Sequence, residues 1–189
     1  MIKIDLNLSV KSIKEAISQM KEKKKLYRKM TNSFLRRSCT WIKNRANFYL
    51  DQAPIGIATI EEIKRGWQQP RIAGNRAYMR NTDGKAVFVE FGVGVVGQQE
   101  QHANASTTGY AYNVPSEAKD PSGGWYFFVE WNRTNIPSSD LEQLYSDAEG
   151  SWYYTHGTTG QNYTYQALMD YESSGKKEVW EIVKSKYWK

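Results

Sequence analysis

The sequence predicts an α+β domain in which N-terminal helices and a C-terminal helix pack on a small, mostly antiparallel sheet, with long irregular loops. Three observations carry this prediction. Apolar residues recur at three- and four-residue steps between Ser9 and Gln52. Two runs rich in aromatic residues, Trp125–Trp131 and Ser151–Thr155, have the composition of strands. Helical spacing returns near the C-terminus, where Val179, Ile182, Val183 and Lys186 share a face with Trp180 and Tyr187 beside it. At 189 residues the chain can bury the core of one domain without disulfides or metals, so 1–189 is expected to be a single domain.

In chain order, the first element is a basic helical segment over 1–52. Ser12 and Glu15 have the spacing of a capping box, in which each side chain satisfies a backbone N–H of the other. Ile13, Ile17 and Met20 follow as an apolar face flanked by Lys21, Lys25 and Arg28. Thr31 or Asn32 would cap a second helix with the face Leu35, Cys39, Ile42, Ala46, Tyr49 and Leu50; a single long helix is the alternative. Ala53-Pro54 ends it, because the residue before a proline is pushed out of the helical region.

Strands are expected over 60–97. Ile63, Arg65 and Trp67 alternate with Lys64 and Gly66, and Ala77–Arg80 follows a Gly74-Asn75 turn. Thr82-Asp83-Gly84-Lys85 is a hairpin or capping signal. Lys85–Val93 is apolar on both faces, which leaves a buried strand and a short buried helix both open. Strands resume over 125–156 around loop excursions at 98–124 and 132–150, and 164–189 forms the C-terminal helical segment. Loops of that length in a compact domain are functional or mobile.

Composition excludes several function classes. No stretch approaches the ~18 uninterrupted apolar residues of a membrane-spanning helix, so no membrane partner is expected. Asp5 stands where a signal peptide would need apolar residues, which points to a protein made in a cytoplasm. One cysteine rules out a disulfide framework and a multi-cysteine zinc site. Charge is uneven: residues 1–80 hold 18 Lys and Arg against 6 Asp and Glu, whereas 81–189 hold 8 against 14. A basic half fits nucleic acid or another acidic surface. Opposed halves also fit identical subunits stacked head to tail, or two ordinary solvated faces.

Motifs that would carry catalysis are weak. Gly92, Gly94 and Gly97 spell G-x-G-x-x-G, but a dinucleotide turn needs a helix directly after it, and the polar run from Gln98 is not expected to supply one. Glycines permitting a sharp backbone exit explain the pattern better. Cys39 lies on an inward helix face, where cysteine is a small hydrophobe rather than a nucleophile. Glu90, inside Phe88-Val89-Glu90-Phe91, is a buried carboxylate without an evident companion base; a backbone donor or an arginine is the expected partner. Glu100 and His102 sit in a loop too loose to preorganise a site. The sequons at Asn104, Asn132 and Asn162 have no meaning without secretion. Neither a catalytic set nor a cofactor, metal or small-molecule substrate is expected. Two binding surfaces remain: the basic run Lys21–Lys29, able to follow a phosphate backbone, and the aromatic group around Trp125, Trp131 and Trp152, suited to sugars, bases or a subunit interface.

The stretch Phe88-Val89-Glu90-Phe91-Gly92-Val93-Gly94-Val95-Val96-Gly97 resembles the VEFGTGIVG signature of tailed-phage neck or tail-completion proteins, the gene-product-ten-like minor structural family. Gly109-Tyr110, Gly124-Trp125-Tyr126 and Trp152-Tyr153-Tyr154-Thr155-His156-Gly157 fall where that family carries a Gly-Tyr, a Gly-Trp-x-Tyr and a Trp-x-Tyr…Thr-x-Gly. Thr164–Tyr171 resembles the family's turn before the last helix. The chain departs from the pattern at Val93, where Thr is usual, at Tyr171, where Ala is usual, and at His102-Ala103, where a His-Pro step is common.

The resemblance implies a non-enzymatic virion protein at the head–tail junction, made in the bacterial host cytoplasm and assembling in or onto a ring that joins or seals the connector. Its implied partners are other copies of itself and neighbouring head and tail connector proteins, with possible contact to packaged DNA through the basic helix. Glu90, Phe91, Gly92, Gly94 and Gly97 are then structural motif residues, with the FVEFG segment a short helix docked on the sheet and Glu90 tied down locally. Loops 98–124 and 132–150 are expected to order on assembly. The alternative is an aromatic-lined carbohydrate- or cell-wall-binding module.

Overall fold

A computed structural model of the chain describes residues 10–112, 125–130, 142–146 and 150–188, with backbone alone at 95, 125–130, 142–146 and 150–153. The fold is α+β. Its elements in order are helix α1 (Val10–Leu50), α2 (Ile57–Arg65), strands β1 (Arg71–Ala73) and β2 (Arg76–Tyr78), α3 (Lys85–Phe91), β3 (Gly92–Val93), α4 (Gly94–Gln99) and α5 (Ala105–Thr108). There follow β4 (Trp125–Glu130), β5 (Glu142–Ser146), β6 (Gly150–Thr155), β7 (Gly157–Thr159), α6 (Tyr163–Asp170), a π-helical turn (Tyr171–Gly175) and α7 (Lys176–Tyr187).

One helix, α1, replaces the two that a cap at Thr31 or Asn32 would require. The reason is phase: at 3.6 residues per turn, Ile13, Ile17 and Met20 lie on the same side as Ile42, Ala46 and Tyr49, so no break is needed to bury the second set. Ser12 lies inside this helix rather than at its cap. The helix stops at Leu50, just before Ala53-Pro54, as the proline dictates. Residues 57–65 form a helix instead of the expected strand. Ile60 and Ile63, three apart, both turn inward and are buried, while Glu61, Glu62, Lys64 and Arg65 stay on the outer side. That three-residue step outweighs the alternation of Ile63, Arg65 and Trp67.

The pairing among the described strands is antiparallel throughout and divided among three small sheets. β1 and β2 form a hairpin around Gly74-Asn75, with Arg71 opposite Tyr78 and Ala73 opposite Arg76. β3 pairs with β7. β4, β6 and β5 form the third sheet, so part of the expected loop 132–150 is a strand. Residues 113–124, 131–141 and 147–149 of the two expected loops, with Trp131 and Asn132, lie outside the described residues.

The core sits among the helices: Ala46 and Leu50 of α1, Ile60 and Ile63 of α2, Ala86 of α3, and Tyr163 and Ala167 of α6 form one buried cluster. The α6–α7 arm runs antiparallel along the C-terminal half of α1. Arg45 bonds Asp170, Tyr171 Oη donates to Ser38 Oγ at 2.6 Å, Trp41 Nε1 donates to Glu178 at 3.0 Å, and Phe34 meets Trp180 edge-on. On α7, Val179 and Val183 are buried at i, i+4 spacing, whereas Ile182 and Lys186, expected on the same face, are exposed.

Asp170 accepts from Tyr49 Oη at 2.6 Å and from the Arg45 guanidinium. These bonds, Tyr49's first and Arg45's second, hold its carboxyl below the ordinary carboxylate value. A lowered folded value stabilises the fold above the unfolded pKa of about 4, and that gain is lost as pH falls through the lowered value. The urea midpoint of the native chain should therefore exceed that of Asp170→Asn at pH 7, with the gap closing below about pH 4. A gap constant from pH 7 to pH 3 would exclude this role.

Candidate functional site

Glu90, next to last in the run Lys85–Phe91, lies buried, and that position is set by its helix. Asp83 Oδ1 accepts from Lys85 N at 2.8 Å and starts α3, so the Thr82–Lys85 signal acts as a cap rather than a hairpin. With α3 helical, Ala86 and Glu90 at i, i+4 face inward together. The chain entering α6 then binds the end of α3: Gln161 N donates to Val89 O at 2.7 Å and Asn162 N to Glu90 O at 3.1 Å.

The Glu90 carboxylate returns the favour to α6, whose Asn162 N-cap makes no side-chain capping bond, its Nδ2 donating to Gly160 O instead. Thr164 N donates to Oε2 at 2.7 Å and Tyr165 N donates to Oε1 at 2.9 Å. A negative group at a helix start is favoured by the unpaired N–H groups and the helix dipole there. A third bond comes from His102, whose Nε2 lies 3.0 Å from Oε1. Its tautomer follows from the other nitrogen: Asn104 N donates to Nδ1 at 2.9 Å, so Nδ1 carries no hydrogen and Nε2 donates to the carboxylate. Burial, then the neighbouring Glu90 charge, pushes the Tyr163 phenol well above its ordinary value.

His102 is buried, against the expectation of a loose loop over 98–124. Its ring lies on Phe91 with centroids 4.3 Å apart, and Phe91 stacks on Tyr110 at 4.6 Å. Tyr110 Oη donates to Gly92 O at 2.6 Å, and His102 N donates to Tyr112 Oη at 2.8 Å. An aromatic stack and a buried charge-assisted bond thus fold this segment onto α3. Sequence reasoning missed His102 as the companion of Glu90; the available signal was the pair Tyr110 and Tyr112, which gives the polar stretch something to bury.

The glycines of the same motif make a second junction. Gly92 and Gly94 take positive φ, and Gly94 bridges Gly157, itself at φ +115°. A Cβ on Gly92 would lie 2.5 Å from Thr158 O and Gly160 N, and one on Gly160 would lie 2.5 Å from Glu90 O. A short helix, α4, does begin inside the G-x-G-x-x-G pattern, contrary to expectation. The close backbone approach that these glycines allow is nevertheless taken by residues 157–160 of the same chain.

In chemical terms the Glu90–His102 pair is a latch. Both carboxylate oxygens and both ring nitrogens are engaged with protein groups, three hydrogen bonds falling on the carboxylate and two on the ring. A cleft of about 390 Å³ opens onto the pair: Glu90 and His102 line it together with Arg80, Phe91, Asn104 and Tyr163. Among the described residues no group of three or more His, Cys, Asp or Glu side chains is placed to hold a metal, no buried side-chain polar atom lacks a partner, and no helix is long and apolar enough to cross a membrane.

The other sequence candidates are dispersed. Lys21, Lys25 and Arg28 are exposed on the N-terminal half of α1. Trp125 pairs with Thr155 and Trp152 with Phe128. Because facing strand positions alternate between the two sides of a sheet, Trp125 and Trp152 occupy positions on opposite faces. Cys39 is buried, and burial pushes its thiol above the ordinary value, the reverse of activation. Cys39 should therefore react with a thiol-specific disulfide reagent at a small fraction of the unfolded rate at pH 7.5. Native and urea-unfolded rates that match would contradict its placement.

No protein-family model, curated protein or solved structure matches the chain.

Proposed function

We propose that this chain is a non-enzymatic structural protein of a tailed-phage virion, made in the bacterial host cytoplasm and placed at the head–tail junction in or onto a ring that joins or seals the connector. The observation that carries the reading is the use to which the Glu90–Gly97 segment is put. As the resemblance implies for Phe88–Gly92, residues up to Phe91 are helical and the Glu90 carboxylate is tied down, although its partners are 12, 74 and 75 residues away rather than local. Every polar atom of the Glu90–His102 pair serves the fold, which suits a scaffold rather than a reaction centre. The basic first 80 residues and the acidic remainder supply complementary surfaces for like subunits or for connector neighbours.

Absolute mass by light scattering on a sizing column tests the reading across a range of protein and salt concentrations. The free chain is expected to be a monomer or weak oligomer; a discrete ring-sized species, weakened by salt, would support head-to-tail closure through the opposed charged halves. A monomer under every condition would remove self-assembly.

A further inference from the structure

Along the N-terminal half of α1 runs a seam spaced alternately by three and four residues: Val10, Ile13, Ile17, Met20, Lys24 and Tyr27. This is the a/d pattern of a coiled coil. Continued in the same register, the pattern reaches Phe34, Ser38, Trp41 and Arg45, the residues that meet Trp180, Tyr171, Glu178 and Asp170 of the chain's own α6–α7 arm. One seam therefore serves two stretches of the helix. The C-terminal stretch is covered from within. The N-terminal stretch is open, with Val10, Ile13, Ile17, Met20 and Tyr27 between 45 and 70% exposed over 18 residues, about 27 Å of helix.

We propose that this open seam docks an amphipathic helix of another protein, one that carries acidic residues beside its own apolar stripe. The charge flanking the seam selects that occupant. The positions following each second seam residue are Lys14, Lys21 and Arg28, all exposed, while the opposite flank carries buried Ala16 and Met30 with half-buried Lys23 between them. A partner helix entering from the open side faces a row of cations, and Lys24 stands in the seam itself. A second copy of the same helix is disfavoured, because antiparallel pairing opposes the cationic rows and parallel pairing opposes the two Lys24 side chains. Nucleic acid would neutralise the lysines but leave Ile13, Ile17 and Met20 in water. An acidic amphipathic helix satisfies both features; farther along the same seam Asp170 of α6 answers Arg45 in this way. The inference names a kind of partner for the assembly reading but rests on the α1 surface, so peptide capture and oligomeric mass can fail independently.

The test uses the full chain and three labelled probes followed by fluorescence anisotropy. They are a 21-residue heptad peptide with Ile and Leu in its seam and Glu on both flanks, the same peptide with Lys for Glu, and a 20-base-pair DNA duplex. The Glu peptide should bind at least tenfold more tightly than the Lys peptide, weaken as salt rises, and lose at least tenfold in affinity to an Ile17→Asp, Met20→Asp chain. These residues are exposed and remote from the core, so the variant should keep its circular dichroism; Ile17→Ala, Met20→Ala, which retains helix propensity, serves if it does not. The proposal is overturned if the intact chain fails to bind the Glu peptide. It is equally overturned if duplex binding is tight and indifferent to both double variants, or if those variants dissolve an oligomer of the chain itself.

Discussion

Gly157→Ala is expected to destabilise the protein by about 3–5 kcal/mol, the largest effect of any single methyl addition proposed for this chain. Two penalties combine at this position. The backbone there has φ +115°, a conformation that L side chains rarely adopt. The added Cβ would also lie 1.9 Å from the carbonyl oxygen of Val93, a backbone atom held by the β3–β7 pairing. Relief requires separating those strands, which carry the end of the Glu90–Gly97 segment. Gly84→Ala is the matched control: its φ is −65° and nothing lies within 4 Å of the new methyl, so its effect should be within about 0.5 kcal/mol of zero. Urea unfolding of both variants, followed by circular dichroism, decides the matter. If Gly157→Ala unfolds within about 1 kcal/mol of the control, the crossing of these two segments does not hold the fold together.

Glu90→Ala should cost about 3–5 kcal/mol for a different reason. It leaves Thr164 N, Tyr165 N and the His102 imidazole facing a buried vacancy, and each orphaned donor costs ~1–3 kcal/mol, with partial overlap among the three. Glu90→Gln should lose somewhat less, since one amide oxygen still accepts while the amide nitrogen opposes a donor. A second readout separates the latch from general core damage. Hydrogen exchange of the Thr164 and Tyr165 amides should accelerate in both variants more than exchange in the middle of α1 does. Unchanged protection at those two amides would rule out capping of α6 by Glu90, whatever the change in global stability.

Elements with a single local meaning were legible from sequence: the helical periodicity of Leu35–Leu50, its stop at Ala53-Pro54, the Gly74-Asn75 turn and the strands at 125–130 and 150–155. Legibility failed where two periods competed. Ile60, Ile63 and Trp67 satisfy a helix and a strand over so few residues that packing against Ala46 and Leu50 decides between them. It failed again where burial depended on a distant segment. Tyr110 and Tyr112 announce that the stretch around His102 has something to bury, but not that the ring will lie against Phe91 or bond Glu90.

The sequence by itself determined the α+β class and the opposed charge of the two halves, because composition and short-range periodicity act within a few turns of chain. Tertiary structure decided the rest. The roles of Glu90, His102 and the motif glycines follow from contacts with residues 157–165, more than 60 positions from Glu90, which local patterns do not encode. The same holds for α1. Its apolar stripe reads alike at both ends in sequence, and where α6 and α7 lie against it determines which half is core and which half faces outward.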